Sequence, residues 1–246
     1  MKRGGWRIRH MAQLQGKARA EYVRGMFDRI AGRYDLMNRL ITGGQDRKWR
    51  RFAVQAAELP ARARLLDIAT GTGDIAREAL EQQPEARVHG ADFALEMMRV
   101  GQGRHGGNRI DWAGADALRL PYADASFDAV VSAYLLRNVT DIPQALAEQR
   151  RVLQAGGRIV ILDTSPPPDT LLKPLINLHL NVGIPLLGRL VAGKAAADAY
   201  RYLPESTALF KTPQELAQLV ETAGFCDVRY RVFMLGTMAV HWGRKT

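Results

Sequence analysis

A carboxylate and a run of small residues stand together in Asp67-Ile68-Ala69-Thr70-Gly71-Thr72-Gly73. Glycines in such a turn let the backbone approach a ligand closely. Asp67, just ahead of the turn, suits a ligand that carries positive charge. Nineteen residues after Gly73 comes Asp92, where a carboxylate can accept hydrogen bonds from both hydroxyls of a ribose. Asp116-Ala117 follows further on, where an adenine edge would lie. Together these groups describe a cationic nucleoside ligand. S-adenosylmethionine, with its ammonium and sulfonium, fits that description. Gly71-x-Gly73-x-x-Ala76 also matches the dinucleotide fingerprint, so an NAD(P)-dependent oxidoreductase is the rival of a different class. Against it stand the placement of Asp67 and the lack of further phosphate-cradling residues. The bland alternative for Asp67 is that it caps the next helix.

These residues need a strand before the turn and a helix after it, and the pattern supplies both. Residues 20–58 read as helices broken near Thr42-Gly43-Gly44. Residues 64–68 form a short apolar run of buried-strand type. A helix over 74–82, a strand over 87–92, a helix over 94–103 and a weak strand over 109–112 follow. Residues 127–133 form a strongly apolar strand. A helix over 141–153 is expected to run to Gly156-Gly157, where glycine suits a left-handed stop, and a strand over 158–163 comes next. Such alternation predicts βαβ units and a parallel sheet. A parallel sheet of this kind binds ligands at the carboxyl ends of its strands, where the glycine turn lies. After Pro166-Pro167-Pro168 the alternation stops, and residues 169–211 read as a helical cap. Thr212-Pro213-Gln214-Glu215 has the form of a capping box. The helix that it opens stops at Gly224. Strands near 226–234 and 237–244 are close enough to pair as a hairpin.

At 246 residues, with 47% hydrophobic and 24% charged residues, the chain suits one α/β domain with a packed core. The expected division is a basic arm over 1–20 and a single domain over 21–246. One cysteine, Cys226, excludes an internal disulfide framework and a cysteine-based zinc site; it fits a reducing cytoplasm, and no metal is expected. The net charge is +10, and Lys2, Arg3, Arg7, Arg9, Lys17 and Arg19 all precede the first acid, Glu21. Three readings of this arm are open: a solvated tail, an attraction to anionic lipid, or a nucleic-acid contact. Nucleic acid is not the expected partner. Ala133-Tyr134-Leu135-Leu136 stands where a base-flipping enzyme would carry an Asn-Pro-Pro-Tyr tetrapeptide. The apolar stretch Leu171–Gly193 is interrupted by Lys173, Pro174, His179, Pro185 and Arg189, so it lacks the ~20 clean apolar residues of a membrane span.

The glycine turn, Phe127-Asp128-x-Val130-Val131 and Arg151-Val152-Leu153-x-x-Gly156-Gly157 together resemble the class I methyltransferases. Ala69 replaces the first glycine of that family's turn. Two stretches are more specific. Tyr34-Asp35-Leu36-Met37-Asn38-Arg39 leads to Gly44-x-Asp46-Arg47-x-Trp49-Arg50, and Arg137-Asn138-Val139-Thr140-Asp141 leads to Ala145-Leu146. With Tyr202-Leu203-Pro204-x-Ser206 they resemble the ubiquinone/menaquinone biosynthesis C-methyltransferases over about residues 20–244. The resemblance implies a Rossmann-like, mostly parallel seven-stranded sheet with an antiparallel C-terminal hairpin and a helical cap. It implies methyl transfer from S-adenosylmethionine to a ring carbon of a polyprenyl hydroquinone, most simply demethylmenaquinol. Another small lipophilic phenol is the alternative acceptor.

Cofactor contacts are expected from Asp67, Thr70, Gly71, Thr72, Gly73, Asp92, Phe93, Met97, Asp116, Ala117 and Ala133. The catalytic candidates are Arg137, to stabilise a phenolate or order a water, and Asn138, to hold a ring oxygen. Tyr34, Tyr200 and Tyr202 are the candidates for the quinol, and Tyr34 and Asp35 could also close over the cofactor. Asp141 reads as a helix N-cap, and His179 as a cap residue rather than a base. Many relatives carry a serine at the position of Ala133. Ser132 beside it points to the other face of the strand, so that contact is expected to be missing. The apolar stretch is expected either to be an ordinary cap or to form a lipid-tail groove touching the inner face of the membrane. The partners expected are thus a polyprenyl quinol, a membrane surface and a second copy in a homodimer.

Overall fold

In the computed structural model the described residues are Leu14, 16–192 and 197–246. The arm residues Lys2, Arg3, Arg7 and Arg9 lie outside them. Helices α1 (Gly16–Ile30), α2 (Tyr34–Thr42) and α3 (Asp46–Ala56) precede the sheet. Then come β1 (Arg64–Ile68), α4 (Asp74–Gln82), β2 (Arg87–Asp92), α5 (Leu95–Gln102), β3 (Ile110–Gly114), β4 (Phe127–Ala133), α6 (Ile142–Val152) and β5 (Leu153–Thr164). The strands stand in the order β3-β2-β1-β4-β5-β7-β6, with β7 (Met238–Lys245) antiparallel to both β5 and β6 (Phe225–Phe233). The remaining pairs are parallel. This is the expected sheet, and its order reverses between β1 and β4.

β1 and β4 are almost wholly buried, and mostly apolar, because both faces are covered by helices. Leu65, Val88, Ala129, Val131, Val160 and Leu162 pack on one face with Trp49, Ala53 and Ile75. Leu66, Val130, Ile159 and Ile161 pack on the other with Leu146, Leu216 and Phe225. The alternating halves of each strand thus build two cores, and the strand ends are held rigidly between them.

Several local signals operate as expected. Gly43 and Gly44 take positive φ and break α2 from α3. Asp141 caps α6, accepting from the Gln144 N–H at 3.0 Å. Thr212 and Glu215 form a complete capping box on α10 (Pro213–Thr222), and Gly224 follows it at φ +88°. Gly156-Gly157 corrects one expectation. α6 ends at Val152, and the glycines lie inside β5. There the register against β4 jumps from Phe127↔Leu153 to Ala129↔Arg158. A Cβ at Gly157 would stand 2.9 Å from the Asp128 carbonyl oxygen, so the glycines permit a bulge against the neighbouring strand.

The segment after the prolines is helical: α7 (Lys173–Leu178), a π-helical turn (His179–Gly183), α8 (Ile184–Ala192) and α9 (Ala197–Ala208). The π turn has a covalent cause. Pro185 has no N–H and its ring crowds the carbonyl four residues back, so the ladder widens just ahead of it. The Ile184 N–H then donates to the His179 carbonyl. Among the described residues no helix is long and apolar enough to cross a membrane.

Candidate active site

The turn after β1 is left-handed at three positions: Ala69 (φ +57°), Gly71 (φ +55°) and Gly73 (φ +82°). An L-residue is unfavourable there, so Ala69 holds a conformation better suited to the glycine it replaces. At Gly71 a Cβ would crowd the Met97 methyl at 3.2 Å. At Gly73 a Cβ would stand 2.6 Å from the Trp112 ring, which is pinned by a 2.8 Å bond from its Nε1–H to the Gly107 carbonyl. Trp112 was not legible as a support because the contact joins β3 to the turn nearly forty residues earlier.

Asp67 is fully buried. Its Oδ2 accepts from the Thr70 hydroxyl at 2.6 Å and from the Ala76 N–H at 3.2 Å. Its Oδ1 is buried with no hydrogen-bond partner among the described residues. Burial pushes its pKa up to about 7, since a charge without water or a cation is costly. Asp92 closes β2 and accepts from the Gly71 N–H at 2.7 Å and the Ala94 N–H at 2.8 Å. Burial raises it to about 6 against these bonds. A carboxylate has about four lone-pair sites, so Asp92 retains acceptor capacity beyond its backbone donors Gly71, Phe93 and Ala94. The orphaned Asp67 oxygen and the spare capacity of Asp92 fit a ligand with an ammonium at one end and ribose hydroxyls at the other. Met97 and half-buried Phe93 pack beside the turn with Ala94. Buried Ala117 and exposed Asp116 stand past β3; the Asp116 carboxylate accepts from the Leu118 N–H at 2.9 Å. Ser132 faces Gln149 on α6 at 3.4 Å, while Ala133 packs on the opposite face, as the alternation requires.

The N-terminal signature reaches the same turn. The Thr72 hydroxyl donates to Asp35 at 2.9 Å, and Arg104 forms an ion pair with Asp35. Tyr34 and Phe27 pack against Phe93 and Met97 and also line an apolar cavity of about 220 Å³. The other walls come from α1 (Ile30), the loop after β4 (Tyr134, Arg137, Asn138) and the cap (Ile176, His179, Ile184, Tyr200, Tyr202). The three candidate tyrosines and both catalytic candidates therefore converge on one cavity, which shares a wall with the glycine turn.

Arg137 is held there by a partner the sequence did not announce. Its Nη1 lies 2.5 Å from Asp163 Oδ1, and the two side chains are 5% and 1% exposed. Its guanidinium also stands 4.9 Å from the centre of the Tyr134 ring. Burial opposes its charge, but Asp163 outweighs burial and holds its pKa above the ordinary value. Arg137 Nε is buried without a partner among the described residues. Asp163 stands near the carboxyl end of β5, as Asp67 does on β1, and that shared placement was the available signal. Asn138 accepts from the Tyr202 hydroxyl at 3.1 Å. Tyr34, Tyr134 and Tyr200 all have their pKa values raised, first by burial. The Tyr200 hydroxyl is buried and unpartnered among the described residues.

The model of the ubiE/COQ5 methyltransferase family matches residues 15–245. The chain belongs to this family. It is 48% identical over 239 residues to the ubiquinone/menaquinone biosynthesis C-methyltransferase UbiE of Desulfotalea psychrophila, covering 94% of this chain and 96% of that one. It is 43% identical to the demethylmenaquinone methyltransferase of Roseiflexus castenholzii, covering 92% and 94%. In fold it resembles a SAM-dependent methyltransferase structure from Thermotoga maritima, with a TM-score of 0.61, 19% identity and coverage of 90% and 99%. The family member is thus an S-adenosylmethionine-dependent C-methyltransferase, and the dinucleotide reading of Gly71-x-Gly73 falls away.

Proposed function

We propose that the protein methylates a ring carbon of a polyprenyl hydroquinone, with demethylmenaquinol as the acceptor. The observation that carries this reading is the cavity: ring-sized, walled by aliphatic and aromatic groups, and sharing Tyr34 and Phe27 with the cofactor turn. The names of the relatives from Desulfotalea and Roseiflexus support the same acceptor class. Bound S-adenosylmethionine supplies an electrophilic methyl group. The protein's own part is to align that group with the ring and exclude water. Asp67 holds the ammonium, Asp92 the ribose, and Thr70, Thr72, Phe93, Met97, Asp116, Ala117 and Ala133 complete the enclosure. At the acceptor end, the Arg137 Nε–H, unpaired among the described residues, donates to a ring oxygen as negative charge develops on it. Asn138, fixed by Tyr202, orients the ring against Tyr34 and Tyr200. Incubation with labelled S-adenosylmethionine and a panel of demethylated naphthoquinols and benzoquinols tests the assignment. Label in the naphthoquinol is expected; label in none of the quinols refutes it.

The same reading extends to a membrane surface. Leu171, Leu175, Leu178, Val182 and Leu186 are each more than half exposed and recur at helical spacing along the cap. Leu175 and Leu235, both exposed, also line the cavity, so its mouth opens beside this apolar stripe. A prenyl tail that leaves the cavity there meets the stripe, and the net charge of +10 favours anionic lipid. Phosphatidylglycerol vesicles are expected to retain the protein, and serine at Leu178, Val182 and Leu186 to release it. Wild-type protein that floats free of such vesicles rules out the membrane contact.

A further inference from the structure

We propose that His179 is the group that accepts the proton of the quinol hydroxyl. This rests on the acceptor class assigned above. The ionisable side chains lining the cavity, among the described residues, are Tyr34, Tyr134, Arg137, His179, Tyr200 and Tyr202. A guanidinium does not give up its charge at neutral pH and has no acceptor atom. Burial makes Tyr34, Tyr134 and Tyr200 hold their protons more tightly, and Tyr202 spends its hydroxyl on Asn138. Asp67 and Asp92 belong to the turn and do not line the cavity. Of this set only an imidazole has a ring-nitrogen lone pair that can take a proton.

The local geometry is arranged around this ring. His179 opens the π-helical turn, a departure that recurs at functional sites. Its Nε2 atom is buried and has no hydrogen-bond partner among the described residues. Its Nδ1 is turned toward Gly183, where a Cβ would stand 3.2 Å away, so the glycine makes room for the imidazole. A buried ring nitrogen with no partner costs free energy unless a ligand supplies one. The Tyr200 hydroxyl, on the helix packed against the same turn, is orphaned in the same cavity. These two atoms, with Arg137 Nε and Asn38 Nδ2 also unpaired on the same walls among the described residues, match a hydroxylated ring.

In the step, the hydroxyl proton moves to Nε2 and the O–H electron pair stays on oxygen, enriching the ring carbon. That carbon bonds to the methyl group as the sulfur–methyl bond breaks, its pair remaining on sulfur. The ring C–H proton then goes to water, and the imidazolium returns its proton to the oxygen. One ring hydrogen leaves as a proton for each methyl gained.

The test uses the full chain with the quinol that the wild-type protein methylates best. His179→Gln is expected to lower kcat about 100-fold or more, with S-adenosylhomocysteine affinity and the quinol KM little changed. His179→Ala should show the same loss, and added imidazole should restore part of it, which only a folded variant can show. Tyr200→Phe should lower kcat/KM by about tenfold, the worth of one neutral hydrogen bond. Turnover of His179→Gln close to the parent's overturns the proposal while leaving the quinol assignment intact. A wild-type protein that methylates none of the quinols overturns both.

Discussion

Replacing Asp163 by alanine should cost far more stability than its one ion pair suggests, and removing Arg137 as well should recover most of the loss. Asp163 does three things at once. It pairs with Arg137 at 2.5 Å, accepts from the Arg137 N–H at 3.3 Å, and accepts from the Thr164 N–H at 2.8 Å. With side chains 5% and 1% exposed, neither member of the pair can turn to water. Removing one partner of such a pair leaves a buried, uncompensated charge and costs about 3–5 kcal/mol. For a chain of this size each kcal/mol moves Tm by about 2–4 °C, so Asp163→Ala should melt roughly 6–20 °C below the parent. Asp163→Ala combined with Arg137→Met takes both charges out of the core, and such double replacement is often close to neutral. The double variant should therefore melt above Asp163→Ala. Urea denaturation of the four proteins, followed by far-ultraviolet circular dichroism, gives the coupling energy. Additive losses, or an Asp163→Ala variant within about 1 kcal/mol of the parent, would refute the reasoning. The guanidinium would then not be fixed by Asp163, and the role given to its Nε–H would fail with it.

Cofactor-site ionisation should show as pH dependence. Asp67 sits at about 7 and Asp92 at about 6 in the free protein, both above their ordinary value. The unfolded chain sheds these protons first, so the cofactor-free protein should lose stability as pH rises from about 4 to 7. The ligand's ammonium needs the Asp67 carboxylate, so S-adenosylhomocysteine measured by calorimetry should bind roughly fivefold tighter at pH 7 than at pH 6, with proton release; equal affinity at the two values would count against Asp67 as the ammonium site. Ala69→Gly should stabilise the fold by up to about 1 kcal/mol, since relief of a left-handed alanine exceeds the entropy of glycine; a lowered Tm would contradict it. Gly73→Ala should destabilise by about 2–3 kcal/mol in urea, because its Cβ meets a pinned Trp112 ring.

What the sequence made legible was set by short-range rules. The capping box of Thr212 and Glu215 and the cap of Asp141 are contacts three residues long, and the letters determine them. The acids ending β1 and β2 could be placed because a parallel sheet puts its ligands at strand carboxyl ends. Gly156-Gly157 misled because a left-handed glycine serves a helix stop and a strand bulge equally, and only the pairing with Asp128 decides between them. Asp163 and Trp112 support the site through contacts between strands far apart in sequence, with no periodicity to mark them. For His179, read as a cap residue rather than a base, the letters do not reveal that the helix widens ahead of Pro185 or that its Nε2 is buried without a partner among the described residues.

The cavity of about 220 Å³ falls below the ~300–1,000 Å³ that encloses a whole drug-sized ligand, so it admits a ring and leaves the prenyl chain outside. Drawing an isoprene unit out of hydrocarbon costs about 4 kcal/mol, at about 0.8 for each of its carbons. On the membrane contact proposed above, an enzyme whose pocket mouth lies at Leu175 and Leu235 avoids that cost, since the tail stays dissolved in the bilayer while the head is methylated. Its reaction is then two-dimensional. The effective substrate concentration is the mole fraction of quinol in lipid, and adding quinol-free lipid at constant total quinol slows turnover by surface dilution.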